Sequence, residues 1–432
     1  MSRIVEDVAC TVCGCVCDDL RLTVDDDRVV ATDGACALAE PWIFEQSRQR
    51  PAVAELAGVP CPFDDALARA AQILRESHAP LIYGLSRSST PGQRAATRLA
   101  DLLAATIDTT ASTCHAPSIM ALQVIGESTA SLGELRHRAD LVIFWGSNPV
   151  ESHPRHFERY SLFPSGMFLP GGRADRTLVV ADVERTPSAE QADLFIPIER
   201  GRDFEALWTL RSLIRGQEIP PEVCTGAALE TLRDLAERMK RCRCGVIFFG
   251  LGVTSPPVGH CTVEALLRLV TDLNDYTRFH AKRMRIYGDV AGADSVLCWQ
   301  TGYPFGVNLA RGYPRYNPGE YTANEVLESR EVDSCLLVGS ESIHQLSPAA
   351  QKHLRSIPTI ALDYPASRVF ERPTVRITTA VYGLHRAGTA YRMDEIPIPL
   401  RAVMDSEYPS DEEVLVRLCE EVGAKSQATL ET

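Results

Sequence analysis

The chain has 432 residues, of which 45% are hydrophobic and 23% charged, and a formal net charge of -13. This length predicts two or three packed lobes rather than one core, and the negative charge argues against nucleic-acid binding, which needs a basic surface. Because no apolar run is long enough for a membrane helix and the N-terminus lacks the pattern of a signal peptide, we expect a cytoplasmic protein with no membrane partner.

The first pattern along the chain is a group of cysteines near the N-terminus. Cys10, Cys13 and Cys17 form a CxxCxxxC motif, and Cys36 follows them. Closely spaced thiolates on an irregular loop can bind one part of a 4Fe-4S cluster, and a distant fourth cysteine completes the site. Cys15 fits no second cluster and is left out of this set. A zinc site and unligated cysteines remain as alternatives, although the second close pair of most zinc sites is missing.

Apolar runs of strand length and helical patterns then alternate along the chain. The strand-like runs cover residues 81–85, 141–149, 177–183, 245–253, 335–340 and 359–364. The helical patterns cover residues 64–77, 92–105, 203–215 and 231–241. This alternation predicts an α/β fold with doubly wound parallel sheets. Ligands of such sheets bind beyond the carboxyl ends of the strands, so the turns after residues 145, 249 and 338 are candidate binding turns.

Six longer motifs span most of the chain. In order, they are VACTVCGCVCDDL, ASTCHAPSIMALQ, FWGSNPVESHPRH, DLNDY, GYPRYNPGE and AGTAYRMDEIPI. Together they resemble the B subunit of formylmethanofuran dehydrogenase. The resemblance implies a fold of the molybdopterin-oxidoreductase type, with a small N-terminal iron–sulfur domain over residues 1–60 and interleaved α/β lobes over residues 61–432.

The resemblance also implies partners and a substrate. The C-terminal barrel of larger relatives is expected to be missing from this chain and to be supplied by a separate D subunit. An amidohydrolase-like A subunit and a C subunit are the other expected partners, and the substrate is expected to be a small one-carbon compound.

The expected catalytic cofactor is a molybdenum or tungsten bis-molybdopterin guanine dinucleotide. Cys114 is the implied metal ligand, and the adjacent imidazole of His115 is expected to move a proton. Arg285 matches the position of an arginine near the metal, where a guanidinium suits a carboxylate. The alternative for Arg285 is a surface cation in a basic stretch with Lys282 and Arg283.

The turn at residues 145–149 resembles the family's turn for the pterin dinucleotide, although a simple strand-end turn is the alternative. We expect His153 and His156, just after it, to form hydrogen bonds rather than to bind metal. The positions that match cofactor contacts are Gly146, Ser147, Asn148, Pro149, Asp182, Asp203 and Thr389.

Three loops depart from the family pattern, and they leave two functions open. They read DVERT at 182–186, IYGD at 286–289 and AGTAYR at 387–392, with Ala387 in place of Glu. A redox subunit would interconvert carbon dioxide and formate or formylmethanofuran at the metal, with electrons supplied by the cluster. The alternative is a non-redox, structural B subunit of a formyltransferase/hydrolase complex that acts in tetrahydromethanopterin-linked formaldehyde oxidation to formate. The retained cysteines favour the redox function.

Overall fold

A computed structural model describes residues 2–255 and 258–430. Contacts within the chain define two compact units. The described residues 2–113 and 287–430 form the first, which we call the terminal unit, and residues 114–255 and 258–286 form the second, which we call the inserted unit. The sequence-based boundary at residue 60 stays a prediction.

The helices and strands follow one another closely in both units. The first part of the terminal unit contains β1 (Arg3–Val8), β2 (Leu20–Asp25), β3 (Arg28–Asp33), α1 (Ala39–Arg48), β4 (Ala54–Leu56), β5 (Val59–Pro60), α2 (Phe63–Glu76), β6 (Pro80–Gly84), α3 (Thr90–Leu102) and β7 (Thr106–Thr109). The inserted unit contains α4 (Ala116–Ile125), α5 (Leu132–Arg138), β8 (Leu141–Trp145), α6 (Pro149–Ser152), β9 (Thr177–Asp182), α7 (Pro187–Glu190), β10 (Leu194–Pro197), α8 (Asp203–Ile214), α9 (Leu229–Arg241), β11 (Cys244–Phe249), α10 (Leu251–Thr254), α11 (Gly259–Leu273) and β12 (Arg278–Arg283). The second part of the terminal unit contains α12 (Val290–Thr301), β13 (Val307–Asn308), β14 (Arg315–Tyr316), α13 (Ala323–Glu328), β15 (Ser334–Val338), α14 (Pro348–Leu354), β16 (Thr359–Asp363), β17 (Val375–Thr378), β18 (Gly388–Tyr391), β19 (Pro397–Leu400) and α15 (Asp411–Leu430).

The terminal unit is built on a nine-stranded sheet in the order β14-β13-β7-β6-β15-β16-β17-β4-β5. Its five central strands are parallel and the outer strands are antiparallel. Leu81 and Tyr83 pack with residues of α13 and α14, whereas Ile82 packs with residues of α2, α3 and α15. The strands are apolar throughout because both faces of the sheet are covered. The same unit contains the antiparallel sheet β1-β2-β3 and the pair β18-β19.

The inserted unit is built on five parallel strands in the order β10-β9-β8-β11-β12. Ile143 and Ile247 pack with residues of α8, α9 and α11 on one face. On the other face the rings of Phe144 and Phe248 stack with their centroids 4.9 Å apart. The chain runs outward from β8 to β10 on one side, and from β11 to β12 on the other. The turns after β8 and β11 therefore meet at the point where the strand order reverses, which is where such sheets bind ligands.

The predicted α/β architecture with parallel sheets is confirmed, and each predicted strand and helix is present. Two of the apolar runs, 141–149 and 245–253, extend past the strand ends because the residues after Trp145 and Phe249 form turns. No sequence pattern predicted β12, because its residues RFHAKR are mostly polar. Among the residues that the structure describes, no helix is long and apolar enough to cross a membrane.

A buried ionic network joins three strands of the nine-stranded sheet. Arg376 in β17 lies opposite Glu55 in β4 and forms an ion pair with Asp363 in β16. Arg368 donates to both carboxylate oxygens of Glu55, at 2.6 and 2.7 Å. Burial raises the pKa of Asp363 to about 6, although Arg376 opposes this shift. The carboxylate of Asp363 therefore depends on Arg376 to remain charged.

Removal of Arg376 should strongly destabilise the terminal unit. We expect Arg376→Met to lower the free energy of unfolding by about 3–5 kcal/mol, because it leaves buried carboxylates without their partner. The matched control is Arg417→Met, which breaks the exposed ion pair with Asp64 at 2.9 Å and should cost roughly 0–1 kcal/mol. Urea unfolding of the two variants measures the difference. Equal losses would show that the buried network adds nothing to stability.

Candidate functional site

The cysteine loop, residues 9–19, connects β1 and β2 in the terminal unit. The backbone N–H of Cys10 donates to the carbonyl oxygen of Cys17 at 2.7 Å, and that of Val16 donates to Cys13 at 3.1 Å. These two bonds fold the loop back on itself. Cys36 lies just before α1, and its carbonyl oxygen accepts two N–H bonds from the first helical residues, both at 3.0 Å.

The thiols of Cys13 and Cys17 both lie within hydrogen-bond reach of the Cys15 thiol, and Cys36 is near enough to affect the pKa of Cys10. Burial raises the pKa of Cys10 well above its usual value, and Cys13, Cys17 and Cys36 each raise it further. Hydrogen bonds with the thiols of Cys13 and Cys17, together with burial, raise the pKa of Cys15. Among the described residues, no group of three or more His, Cys, Asp or Glu side chains has the geometry for binding a single metal ion. The ligands of a cubane cluster bind different iron atoms and are not expected to converge on one point.

Cys114 and His115 lie directly before α4 in the inserted unit. Cys114 is 8% exposed and His115 is fully buried. His115 Nε2 lies 3.1 Å from the carbonyl oxygen of Met284. Because a carbonyl oxygen can only accept, Nε2 carries the hydrogen and Nδ1 carries the lone pair. Nδ1 is buried and has no hydrogen-bond partner within the described part of the chain.

The imidazole of His115 is neutral at physiological pH. Burial and then the charge of Arg285 lower its pKa to about 3, and the bond to Met284 only partly opposes them. A group with this pKa does not release a proton near pH 7. The structure therefore makes His115 a hydrogen-bond acceptor at Nδ1, and its role in moving a proton stays a prediction.

Arg285 is buried, so its interpretation as a surface cation is wrong. It is 3% exposed, and the neighbouring Lys282 and Arg283 are buried as well. Arg283 forms an ion pair with Glu127 at 3.0 Å. The basic run is misleading because it belongs to β12 and the turn that follows, which are packed within the inserted unit.

Two histidines hold the backbone that carries Arg285. His153 Nε2 donates to the carbonyl oxygen of Arg285 at 2.7 Å, and His115 bonds the preceding carbonyl. Ser152 Oγ lies 2.9 Å from His153 Nδ1 and fixes the ring. His156 Nδ1 lies 2.9 Å from Ser161 Oγ. The prediction that these histidines form hydrogen bonds is therefore confirmed for both ring nitrogens of His153 and for Nδ1 of His156, whereas the buried Nε2 of His156 has no hydrogen-bond partner in the described part of the chain.

The predicted dinucleotide turn follows β8 and packs against the glycine turn after β11. Gly146 has φ 55°, and a Cβ there would lie 3.0 Å from the Cα of Gly252. A Cβ on Gly250 would lie 2.7 Å from the carbonyl oxygen of Gly146 and 2.9 Å from Cβ of Ser147. The two turns thus touch through their backbones, and glycine is required on both sides. Pro149 begins α6 directly after the turn.

Asn148, Asp182 and Asp203 belong to the same edge of the five-stranded sheet. Asn148 Oδ1 accepts from Ser188 Oγ at 2.6 Å, and Trp145 Nε1 donates to Asp203 Oδ1 at 2.9 Å. Burial and the nearby Asp182 raise the pKa of Asp203, while Trp145 opposes the shift. Burial also raises the pKa of Asp182. The structure therefore brings these carboxyl groups together beside the turn.

Thr389 and Arg87 are two further residues that belong to the terminal unit. Thr389 lies in β18, where its carbonyl oxygen accepts from Thr90 Oγ1 at 3.3 Å. Arg87, in the turn after β6, donates to the carbonyl oxygens of Thr11 and Val12 in the cysteine loop. Sequence reasoning missed Arg87 because one arginine in a serine-rich turn has no distinctive pattern.

The chain shares its fold with two solved structures. One chain in the crystal structure of the formyltransferase/hydrolase complex of Methylorubrum extorquens with methylofuran matches with a TM-score of 0.71 and 24% identity, over 87% of this chain and 99% of that one. Acetylene hydratase from Pelobacter acetylenicus matches with a TM-score of 0.67 and 14% identity, over 97% of this chain and 70% of that one. The chain therefore has the fold common to these two proteins.

Sequence comparison identifies the family. The chain is 37% identical to the B subunit of the tungsten-containing formylmethanofuran dehydrogenase 2 of Methanocaldococcus jannaschii, over 94% of this chain and 95% of that one. The corresponding subunit of Methanococcus maripaludis is 36% identical, over 97% and 99%. The B subunit of the Methylorubrum extorquens formyltransferase/hydrolase complex is 25% identical, over 64% and 72%. No protein-family model matches the chain. The chain belongs to the family of formylmethanofuran dehydrogenase B subunits, as its motifs predicted.

The buried His153 should make stability depend on pH. Burial lowers its pKa to about 4, whereas an unfolded histidine titrates near 6.5. Between these values only the unfolded state binds the proton, so the stability contributed by neutral His153 is lost as the pH falls below about 6.5. In His153→Gln the side-chain amide can still donate a hydrogen bond near the position of Nε2, but it does not bind a proton in this pH range. Its stability loss relative to wild type should therefore shrink by about 2 kcal/mol between pH 7 and pH 5.

Urea unfolding of the purified complex at the two pH values, followed by tryptophan fluorescence, measures this difference. A stability loss that is the same at pH 7 and pH 5 would mean that His153 is as easily protonated in the folded chain as in the unfolded one.

Proposed function

We propose that this chain is the redox B subunit of a formylmethanofuran dehydrogenase-type complex. In this role it interconverts carbon dioxide and formate, and formate condenses with methanofuran, with loss of water, to give formylmethanofuran. The observation that carries the proposal is the folded loop that brings Cys10, Cys13 and Cys17 together, with Cys36 near enough to affect the pKa of Cys10, which a purely structural subunit does not need. The full-length similarity to tungsten-containing dehydrogenase subunits supports it.

The four thiols fit a 4Fe-4S cluster. Four cysteine ligands are the usual set for this cluster, and two of the four, Cys10 and Cys17, lie in a buried environment. The high pKa of the Cys10 thiol reflects burial first and then the neighbouring thiolates of Cys13 and Cys17. Iron would lower this pKa, since metal binding deprotonates a thiol and compensates its charge.

The residues around Cys114 fit a tungsten or molybdenum bis-pterin. A largely buried thiol is a suitable soft ligand for either metal. The unpartnered, buried Nδ1 of His115 is a polar atom that a bound group would satisfy. When bound, the metal centre would supply the two-electron chemistry that links carbon dioxide to formate.

The protein residues then have separate roles. The guanidinium of Arg285 binds the carboxylate of formate, for which its planar fork is suited. His115 accepts a hydrogen bond at Nδ1 and, since it is neutral, adds no charge that would compete with Arg285. His153 acts through the backbone of Arg285 and is a positioning residue.

The turn after β8 would hold the nucleotide part of the cofactor. Gly146, Ser147, Asn148 and Pro149 form this turn at the point where the strand order reverses. The carboxyl groups of Asp182 and Asp203 suit ribose hydroxyls and the N–H groups of guanine, which are hydrogen-bond donors. Thr389 is proposed as a further contact.

We also propose that the subunit works in the cytoplasm with A, C and D subunits. In this assignment the A subunit is amidohydrolase-like and D supplies the barrel domain. The related Methylorubrum extorquens complex, FhcABCD, supports an assembly of this kind.

A dye-coupled assay tests the function. The complex is purified without oxygen from its native host and given formylmethanofuran with an oxidised viologen dye. Wild type should reduce the dye, and Cys114→Ser should lower the rate by more than about 100-fold, since loss of even an outer-shell partner of a metal site costs 10- to 100-fold. Cys224→Ser, which changes an exposed thiol, is the matched control and should keep the rate.

Formyl transfer without any dye reduction by wild type would contradict the redox function. That result would instead identify the chain as the non-redox, structural subunit of a formyltransferase/hydrolase complex.

A further inference from the structure

Arg87 connects the turn after β6 to the cysteine loop within the terminal unit. Its Nη1 donates to the carbonyl oxygen of Val12 at 3.1 Å and also to that of Thr11. These two residues lie between Cys10 and Cys13 in the chain. A guanidinium therefore contacts the peptide groups that separate two of the proposed cluster ligands.

The charge of Arg87 is buried and almost neutralised by one partner. Its Nε donates to the carboxylate of Glu341, in the short 3-10 helix after β15, and the two side chains are 11% and 16% exposed. The guanidinium carbon also lies 5.7 Å from the ring centre of Trp42 and 5.3 Å from that of Tyr287. Burial alone would lower the pKa of Arg87, but Glu341 outweighs this effect and raises it. The guanidinium therefore stays charged.

Buried charges of this kind act on a nearby redox centre. A cluster gains one negative charge on reduction, so a cation close to it stabilises the reduced form and raises the reduction potential. An anion has the opposite effect. Hydrogen bonds, net charge and solvent exposure are the main means by which proteins set cluster potentials. Water screens the Arg87–Glu341 pair only weakly because both side chains are largely buried.

We propose that Arg87 and Glu341 act in opposite directions on the reduction potential of the cluster held by Cys10, Cys13, Cys17 and Cys36, so that loss of either charge alone changes it. Arg87 raises the potential and Glu341 lowers it. This inference rests on the proposed function, because it requires a cluster in the cysteine loop.

A purely structural role for the pair gives a different expectation. Gly288 packs closely on Thr11: a Cβ on Gly288 would lie 2.1 Å from the carbonyl oxygen of Thr11. The cysteine loop is therefore already held tightly by this contact. If Arg87 and Glu341 served only to anchor the loop, removal of either one would break the same contact. Both substitutions would then change the cluster in the same direction.

The experiment is a redox titration of the whole complex, followed by electron paramagnetic resonance, with iron content measured in each sample. The variants are Arg87→Gln, Glu341→Gln and the double variant. Arg87→Lys keeps the cation, and Arg417→Gln is the control that removes an exposed guanidinium from its pair with Asp64.

We expect opposite shifts. Arg87→Gln should lower the potential, and Glu341→Gln should raise it, each changing the ratio of reduced to oxidised cluster by about tenfold, which is ~59 mV for one electron. The double variant, Arg87→Lys and Arg417→Gln should stay close to wild type. If Arg87→Gln fails to assemble, an upward shift in Glu341→Gln together with an unchanged Arg87→Lys still supports the proposal.

Two outcomes overturn the inference, and they can be told apart. If Arg87→Gln and Glu341→Gln change the reduction potential in the same direction, or not at all, and the chain contains iron, only the role of the Arg87–Glu341 pair is contradicted. A wild-type complex without iron in this subunit would contradict the proposed function itself, and this inference with it.

Discussion

The close approach of two backbones at the carboxyl ends of neighbouring strands, at the reversal point of each parallel sheet, is the constraint on which the rest of the structure depends. In the inserted unit, Gly146 packs on Gly252 at backbone distance. In the terminal unit, a Cβ on Gly84 would lie 2.4 Å from the carbonyl oxygen of Val338. A side chain does not fit at Gly146 or at Gly84. Polar side chains at the carboxyl ends of these strands must therefore come from the residues that follow. Asn148 is one such residue in the inserted unit.

Several charged side chains are buried in this chain, and burying a charge costs free energy unless the charge is paired. Arg283 is paired with Glu127, and the histidines that hold the backbone of Arg285 are neutral because burial disfavours their charged form. A protein that only needed stability could replace such groups with apolar ones at little cost. Their concentration next to Cys114 in the chain and around β12 is more typical of a site for chemistry.

The parallel strands could be predicted from the sequence, because continuous apolar runs require a sheet covered on both faces. The carboxyl-end turn at Gly146 could also be predicted, since the strand before it is so clearly marked. The burial of Arg285 could not, because three cations close together in sequence look the same on an edge strand as on a surface. Nor could sequence reasoning pair Arg87 with Glu341, which are far apart in the chain and meet only through the strand order.

The content of iron, tungsten, molybdenum and pterin in the native complex, purified without oxygen, is the sharpest test of the redox function. We predict about four iron atoms from the cluster of this subunit, and one tungsten or molybdenum atom with two pterins per copy of this chain. An active, formyl-transferring complex without tungsten, molybdenum or pterin would contradict the redox function. The chain would then have kept the fold and the cysteines of its family without the redox chemistry.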